Sequence, residues 1–196
     1  MSDLLNKIFI ENEKWATNQI KKNSDFFKKF SKKQNPKIFW IGCSDSRVIP
    51  NQITSLGINK IFVHRNIGNL ALNNDLNFRT VLDYAINKLT IKDIIVCGHY
   101  NCEGIIKAMT NRRENNSNKW FDNIINVYLN NKEEVDSIKN KKIRMRKIVE
   151  LNVKFQANNI LKSDIYRKSI SKINDIKIHS WVYNIENGKI IDLNKN

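Results

Sequence analysis

The sequence predicts an α/β protein with a central, mostly parallel β-sheet flanked by helices. Three short apolar runs, at 37–43, 60–64 and 94–98, break into polar residues, and segments with helical spacing of apolar residues separate them. The runs are continuous rather than alternating, which is typical of parallel strands buried on both faces. With 196 residues, the chain is long enough to bury one sizeable core.

The C-terminal segment predicts a β-hairpin, which we place at the edge of the sheet. Its two strands, 176–183 and 189–193, are joined by a turn that contains Asn187 and Gly188. An Asn-Gly pair is a strong hairpin signal because both residues tolerate the positive φ angles of a tight turn. The last section of the chain is therefore expected to be β-structure rather than helix.

Helices are predicted between and after the first three strands. Pro50 suits the first turn of a short helix that ends near Gly57. Asn74 or Asp75 opens a second helix with one apolar stripe. The region 105–163 is polar and has helical periodicity.

The N-terminal segment predicts an amphipathic helix. Leu4, Leu5, Ile8, Trp15 and Ile20 recur at roughly helical spacing. This stripe can cover either the chain's own core or a partner subunit, and the residues alone leave both open. We treat 1–196 as a single domain with an N-terminal helical arm over about 1–35.

The net charge of +15 raises the hypothesis of nucleic-acid binding. The basic residues are spread along the chain, however, and only 139–147 forms a dense cluster, which overlaps an apolar helical pattern. A charged helix face is usually just solvated. Nucleic acid is therefore an unlikely partner.

The sequence predicts a cytoplasmic protein that does not cross a membrane. It has no stretch of about 20 uncharged apolar residues, the length needed to cross a bilayer. The N-terminus lacks the basic region, apolar core and cleavage site of a secretory signal.

Cysteine and histidine positions predict a metal site. Cys43 follows one buried strand, and His99 and Cys102 follow another, so all three are expected at the carboxyl edge of the sheet. Two thiolates and an imidazole suit Zn2+ and leave a fourth position for water or a carboxylate. Cys97 lies inside its strand and is interpreted as a small buried hydrophobe.

An acid and a base beside Cys43 decide between two kinds of zinc site. Asp45 can be a permanent fourth ligand, which would make the site closed and structural. Arg47 lies two residues further on and can pair with Asp45 instead. A paired carboxylate could accept a hydrogen bond from the water at an open, catalytic zinc.

Three segments resemble the β-class carbonic anhydrases of bacterial type. They are Cys43-Ser44-Asp45-Ser46-Arg47, Val63-His64-Arg65-Asn66 with Gly68-Asn69, and Gly98-His99-Tyr100-Asn101-Cys102. The similarity runs from about residue 37 to residue 183. It implies a zinc enzyme, carbonic anhydrase (carbonate dehydratase, a lyase), for the reversible hydration of carbon dioxide to bicarbonate and a proton by attack of zinc-bound hydroxide. The assembly implied is a homodimer or homotetramer, with the N-terminal helices packed on a partner subunit.

The resemblance also implies roles for individual residues. The zinc ligands would be Cys43, His99 and Cys102, with Asp45 as fourth ligand in a closed state. Asp45 and Arg47 would form the catalytic pair beside the metal. Gln34 resembles a glutamine that reaches the substrate site of a neighbouring subunit.

A second site is implied by Trp40, Arg65 and Tyr183. These residues match a trio that binds a regulatory bicarbonate in one subset of the family. In that subset the anion favours the closed state, in which the aspartate moves onto zinc. Strand parity agrees with two separate sites, because Trp40 and Cys43 are expected on opposite faces of their strand.

One position departs from the family pattern. Cys102 is usually followed by two glycines, whereas here Glu103-Gly104 follows it. At the start of a helix an acid is electrostatically favourable, but close to the metal loop it would crowd the site or add negative charge. Glu103 supports one alternative function, a zinc-containing, non-catalytic homologue. The net charge supports the other, a basic nucleic-acid-binding protein with structural zinc.

Overall fold

The computed structural model describes residues 3–113, 118–173 and 175–195 of the chain. It divides into two compact units, Met1–Asn35 and Pro36–Asn196. The boundary coincides with the predicted end of the N-terminal arm. That the two units form a single domain stays a prediction.

The N-terminal unit consists of two helices, α1 (Asp3–Lys22) and α2 (Phe26–Phe30). Trp15 of α1 packs edge-on against Phe26 and Phe27, with ring centroids 6.4 and 5.6 Å apart. Over its described length, α1 contains no buried residue. The apolar residues predicted to form its stripe are exposed.

The second unit contains a five-stranded sheet in the order β2-β1-β3-β4-β5. The strands are β1 (Ile38–Cys43), β2 (Ile61–Asn66), β3 (Asp93–His99), β4 (Lys177–Asn184) and β5 (Lys189–Asp192). All neighbouring strands are parallel except β4 and β5, which form the predicted hairpin at the edge of the sheet. The predicted fold class is thereby confirmed.

Seven helical segments belong to the second unit in its described residues. They are α3 (Pro50–Ile53), α4 (Leu76–Asp83), α5 (Glu103–Arg113), α6 (Lys119–Leu129), α7 (Lys132–Ser137), α8 (Lys141–Lys162) and α9 (Asp164–Ile170). A π-helical turn, Tyr84–Lys88, extends α4. The side chain of Asp75 caps α4, accepting from the backbone of Asn77 at 2.9 Å. The predicted end of α3 was wrong: it stops at Ile53, because Ser55 turns the chain with a φ of 55°.

The two faces of β1 belong to different clusters. Phe39, Ile41 and Cys43 lie in the main core, whereas Trp40 lies in a smaller cluster with Cys97. The predicted opposition of Trp40 and Cys43 is thus confirmed. Helix α8 packs against β3 and β4, so it supports the strand that carries the candidate ligand His99.

Within the described ranges, no helix combines the length and the hydropathy that crossing a membrane would require.

Candidate metal centre

Cys43, His99 and Cys102 lie together at the carboxyl edge of the sheet. Their ligand atoms are all within 4.8 Å of one another, and all three side chains are buried. The two Sγ atoms are 3.8 Å apart. Two thiolates on one tetrahedral zinc, each at the usual Zn–S length, would be about 3.8 Å apart. The two sulfurs therefore have the spacing of zinc ligands.

Neighbouring parallel strands bring the three residues together. Gly42 and Cys97 are paired between β1 and β3, so the ends of both strands reach the same edge. Asn101 then turns the chain with a φ of 57°. A Cβ on Gly104 would lie 2.7 Å from Ile67 Cγ2 and 3.6 Å from Cys102 Sγ. A side chain at 104 would therefore push against the loop that supports the centre.

The ring of His99 is oriented for a ligand at Nε2. Its Nδ1 lies 3.1 Å from the carbonyl oxygen of Tyr100. Because a carbonyl only accepts hydrogen bonds, Nδ1 carries the proton and a lone pair is left on Nε2. Nε2 is buried, and no hydrogen-bond partner for it lies among the described residues. A metal ion would satisfy this atom.

Asp45 is paired with Arg47 in this structure. Arg47 donates from Nε to Oδ1 at 2.9 Å and from Nη2 to Oδ2 at 2.6 Å. The backbone N–H of Arg47 also donates to Oδ1, at 3.0 Å. These bonds lower the pKa of Asp45 to about 2, chiefly because the guanidinium donates to the carboxylate. Asp45 is therefore an ionised, two-point partner of Arg47.

The same carboxylate lies beside the ligand cluster. Asp45 Oδ2 is 3.7 Å from His99 Nε2. The Asp45 side chain is only 9% exposed, whereas that of Arg47 is 47% exposed. The pair thus runs from the buried cluster to the surface.

The two thiols of the cluster interact with each other. A hydrogen bond from Cys102 lowers the pKa of Cys43, and the same interaction raises the pKa of Cys102. Without a cation between them, two thiolates at this separation would repel each other. A divalent cation would favour the fully deprotonated pair.

A cleft of about 610 Å³ opens beside the centre. Besides Cys43 and the pair of Asp45 and Arg47, its lining includes Ser44, Ser46, Ile67, Glu103, Lys107 and Phe121. Glu103 is exposed and is the first residue of α5, where the helix dipole favours an acid. The close packing belongs to position 104, so Glu103 adds charge at the cleft without crowding the sulfurs.

Arg65 contacts the backbone of the metal loop. Its Nε donates to the carbonyl of Cys43 at 2.8 Å, and its Nη2 donates to the carbonyl of Asp45 at 2.6 Å. Strand register pairs Arg65 with Gly42. Arg65 therefore joins the centre to the sheet face on which Trp40 lies.

Trp40 and Tyr183 belong to one apolar cluster. Trp40 is fully buried, and its Nε1 has no hydrogen-bond partner among the described residues. The indole leans over Gly42, where a Cβ would be 2.6 Å from Nε1. Tyr183 is paired with His99 across β3 and β4. The predicted trio thus lies on or beside one face of the sheet.

The remaining predicted residues fall outside the cluster. Gln34 lies in the N-terminal unit, and its role stays a prediction. Cys97 is buried on the Trp40 side, where burial raises its pKa. His64 interacts with Asn66 at 3.2 Å, and His179 interacts with Asp93 at 2.9 Å. The structural interpretations of Cys97, His64 and His179 agree with these contacts.

Sequence reasoning missed the polar residues that hold the loop after β2. Asn66 bonds both backbone groups of Leu70, at 2.8 and 2.7 Å. Asn152 of α8 donates to the carbonyl of Gly68 at 2.9 Å, and Trp120 Nε1 donates to that of Ile67 at 2.9 Å. The signal available was an asparagine inside the apolar stripe of α8.

Comparisons with known proteins agree with the geometry. The sequence model of the family described as carbonic anhydrase matches residues 38–190. A protein of Emericella nidulans named carbonic anhydrase is 38% identical over 188 residues, 96% of this chain and 82% of the relative. Fungal as well as bacterial relatives match, so the bacterial type stays a prediction.

Solved structures have the same fold. One of two tetrameric β-carbonic anhydrases from Sordaria macrospora matches with a TM-score of 0.89 and 30% identity, covering 98% of each chain. A Coccomyxa β-carbonic anhydrase in complex with acetazolamide matches with a TM-score of 0.90 and 34% identity, covering 98% of this chain and 87% of that chain. The chain therefore belongs to the β class of the carbonic anhydrase family, whose members are zinc enzymes.

Proposed function

We propose that this chain hydrates carbon dioxide reversibly to bicarbonate and a proton, with zinc held by Cys43, His99 and Cys102. The observation that carries the proposal is the buried His99 Nε2, which has no hydrogen-bond partner among the described residues, beside two sulfurs with zinc-ligand spacing. Bound zinc supplies a water of lowered pKa, and hence a hydroxide nucleophile near neutral pH. Family membership supports the reaction.

Asp45 and Arg47 orient the nucleophile in this proposal. An ionised carboxylate only accepts hydrogen bonds. Asp45 Oδ2 therefore accepts a hydrogen bond from the attacking oxygen, and the lone pair of that oxygen stays free. Arg47 keeps Asp45 ionised and holds both carboxylate oxygens. The pair therefore withholds Asp45 from the fourth ligand position.

The cleft suits the two forms of the substrate. Ile67 and Phe121 offer apolar surface to carbon dioxide, and Lys107 offers positive charge to bicarbonate. Gln34 is proposed to contact substrate from a neighbouring subunit, which rests on the resemblance alone.

The test is stopped-flow hydration of carbon dioxide between pH 7 and 9, with the zinc content measured on the same samples. We expect zinc-dependent hydration by the wild type and loss of both zinc and activity in Cys102→Ser. Cys97→Ala is the matched control, because Cys97 is buried on the other face of the sheet, and it should retain zinc. A wild type that holds zinc but does not hydrate carbon dioxide would contradict this proposal and favour the non-catalytic homologue.

We also propose that bicarbonate regulates the enzyme at Trp40, Arg65 and Tyr183. Trp40 Nε1, which has no partner in the described part of the chain, is a donor for an anion. Arg65 now holds the carbonyls of Cys43 and Asp45. An anion that draws its guanidinium away would release the backbone of Asp45, which links the second site to the first.

Conservative variants test this regulation. Trp40→Phe and Tyr183→Phe remove an N–H and an O–H donor while keeping most of the apolar volume. We expect both to weaken inhibition by bicarbonate and to shift the pH profile of hydration. Unchanged bicarbonate inhibition together with an unchanged pH profile would contradict the regulatory site.

We propose a homo-oligomer, a dimer or tetramer, as the functional assembly, and the cytoplasm as its location. The exposed apolar residues of α1 support assembly, as does the tetrameric state named for the Sordaria macrospora enzymes. The cytoplasmic location rests on the sequence alone.

A further inference from the structure

The turn between β4 and β5 holds the metal loop from outside the cluster. Glu186, in this turn, accepts from the Nδ2 of Asn101 at 3.2 Å. The same carboxylate accepts from Lys142 Nζ at 2.9 Å and from Arg146 Nη2 at 2.8 Å. These partners lower the pKa of Glu186, with Lys142 as the largest cause. Glu186 therefore joins the hairpin, α8 and the loop that ends in Cys102.

Asn101 transmits this contact to the catalytic pair. Its backbone is held at a φ of 57°, and its carbonyl accepts from Arg47 Nη2 at 3.3 Å. The same Nη2 donates to Asp45 Oδ2 at 2.6 Å. A continuous set of hydrogen bonds thus connects Glu186 to Asp45 through Asn101 and Arg47.

Tyr100 is held by two residues of α8. Its hydroxyl donates to Glu150 at 2.6 Å, and the guanidinium of Arg146 lies 4.7 Å from its ring centroid. Its carbonyl orients His99. Arg146 binds Glu186 as well as stacking on Tyr100. Lys142, Arg146 and Glu186, called the clamp below, therefore hold the two residues between His99 and Cys102, which are Tyr100 and Asn101.

The longest of these hydrogen bonds is the one between Asn101 and Arg47, the partner of Asp45. The bond from Arg47 to the Asn101 carbonyl is long, and Arg47 is 47% exposed. A hydrogen bond at this length is lost with a small shift of the acceptor. The Arg47 guanidinium would then be free to turn towards solvent. Asp45 would either move with it or separate from it and approach the ligand cluster.

We propose that Glu186 is a positioning residue which, through Asn101, keeps Arg47 paired with Asp45 and Asp45 off the metal. This inference rests on the proposed function, because it assigns the fourth position to water. Residues 186–188 were predicted only as a turn, and neither Glu186 nor Asn101 was a predicted site residue.

Three variants separate the parts of the clamp. Glu186→Ala removes every bond of the carboxylate, whereas Glu186→Gln keeps an acceptor for Asn101 and loses the charge. Asn101→Gly removes the amide but keeps the carbonyl and tolerates a positive φ. Glu134→Ala is the matched control, because it removes an ion pair with Lys147 of α8, 2.6 Å long, outside the clamp.

Two measurements test the inference, and two more serve as controls. Stopped-flow hydration separates kcat from KM, and the visible absorption of the Co2+-substituted protein reports whether a carboxylate has joined the metal. Thermal melting and metal content verify that each variant is folded and loaded. The cobalt spectrum does not depend on turnover.

We expect Glu186→Ala and Asn101→Gly to lower kcat about tenfold, with little change in KM, because a misplaced group costs transition-state stabilisation. Both should also change the cobalt spectrum at a pH where the wild type has water at the fourth position. Glu186→Gln should lie between them and the wild type, and Glu134→Ala should match the wild type.

Wild-type kcat and an unchanged cobalt spectrum in folded, loaded Asn101→Gly and Glu186→Gln would overturn the inference, even if Glu186→Ala failed to fold. That result leaves the proposed function intact, since the wild type would still be active. An inactive wild type would instead overturn the proposed function.

Discussion

Positions 103 and 104 begin α5 and make opposite demands on their residues. Gly104 has no room for a side chain, because a Cβ would meet Ile67 at 2.7 Å. Glu103 is exposed and lines the cleft together with Lys107. Its charge also raises the pKa of Arg47, after the larger effect of Asp45. Glu103 therefore acts on the site through its field rather than through its volume.

The charge of Glu103 should weaken the binding of anions at the centre. We expect Glu103→Gln to lower the inhibition constant of azide by about two- to fivefold, because it removes a negative charge from a partly screened cleft. Inhibition of carbon dioxide hydration at low and high ionic strength measures this effect, which should shrink with salt. Lys107→Gln is the reverse control and should raise the constant. Equal azide constants in both variants and the wild type would contradict a role for charge.

At the residue scale, the sequence can predict contacts between residues that are close together in the chain. Asp45 and Arg47 are two residues apart, so the sequence offered their pairing as one of two arrangements, and the structure has them paired. The contact between Glu186 and Asn101 spans 85 positions and depends on how a surface turn is oriented. A contact over that separation cannot be predicted from the spacing of residues in the sequence.

At the scale of the element, α8 has two polar residues buried in its packed face. Asn152 donates to the carbonyl of Gly68 at 2.9 Å and accepts from Gln156 Nε2 at 3.0 Å. Gln156 Oε1 in turn accepts from the backbone of Ala71 at 2.9 Å. The helix thus supplies hydrogen bonds that the loop after β2 cannot make within itself.

Removal of this network should destabilise the protein. Asn152→Ala leaves the carbonyl of Gly68 and the amide of Gln156 without these bonds, at a cost of about 1–3 kcal/mol in the free energy of unfolding. Chemical denaturation of the zinc-loaded protein measures the change. Asn158→Ala, at an exposed position of the same helix, should cost much less. Equal losses in the two variants would contradict a specific role for Asn152.

The sheet was predictable at this scale, whereas the helix boundaries were less so. Continuous apolar runs located β1, β2 and β3 to within about two residues of their observed bounds. The predicted helical region 105–163 divides instead into α5, α6, α7 and α8. Asn118 and Asn140 cap two of these helices, but asparagine is abundant throughout the chain, so capping residues do not stand out from the background.

At the scale of the whole molecule, α1 exposes several large apolar side chains. Leu5 is 47% exposed, Ile8 54% and Phe9 66%. A contiguous exposed apolar patch is typical of a surface for association. The sequence predicted the stripe but left open whether the chain's own core or a partner subunit covers it.

Charges introduced into the stripe should weaken that assembly. We expect Leu5→Glu combined with Ile8→Glu to reduce the molar mass measured by light scattering after gel filtration, because each carboxylate would be desolvated in an apolar contact. Thr17→Glu, at an exposed position about 150° around the helix from the centre of this pair, should leave the mass unchanged. A double variant with the wild-type mass would exclude this stripe from the assembly.

The separation of Cys43 and Cys102 along the chain has a consequence for folding. The two sulfurs are 59 residues apart in sequence yet 3.8 Å apart in space. An ion that binds both closes a long loop, much as a disulfide would, and a covalent link of that span removes chain entropy worth about 4 kcal/mol. Metal bound there would act as a cross-link between β1 and the segment after β3. Part of the stability of the loaded enzyme would then belong to the ion rather than to the polypeptide.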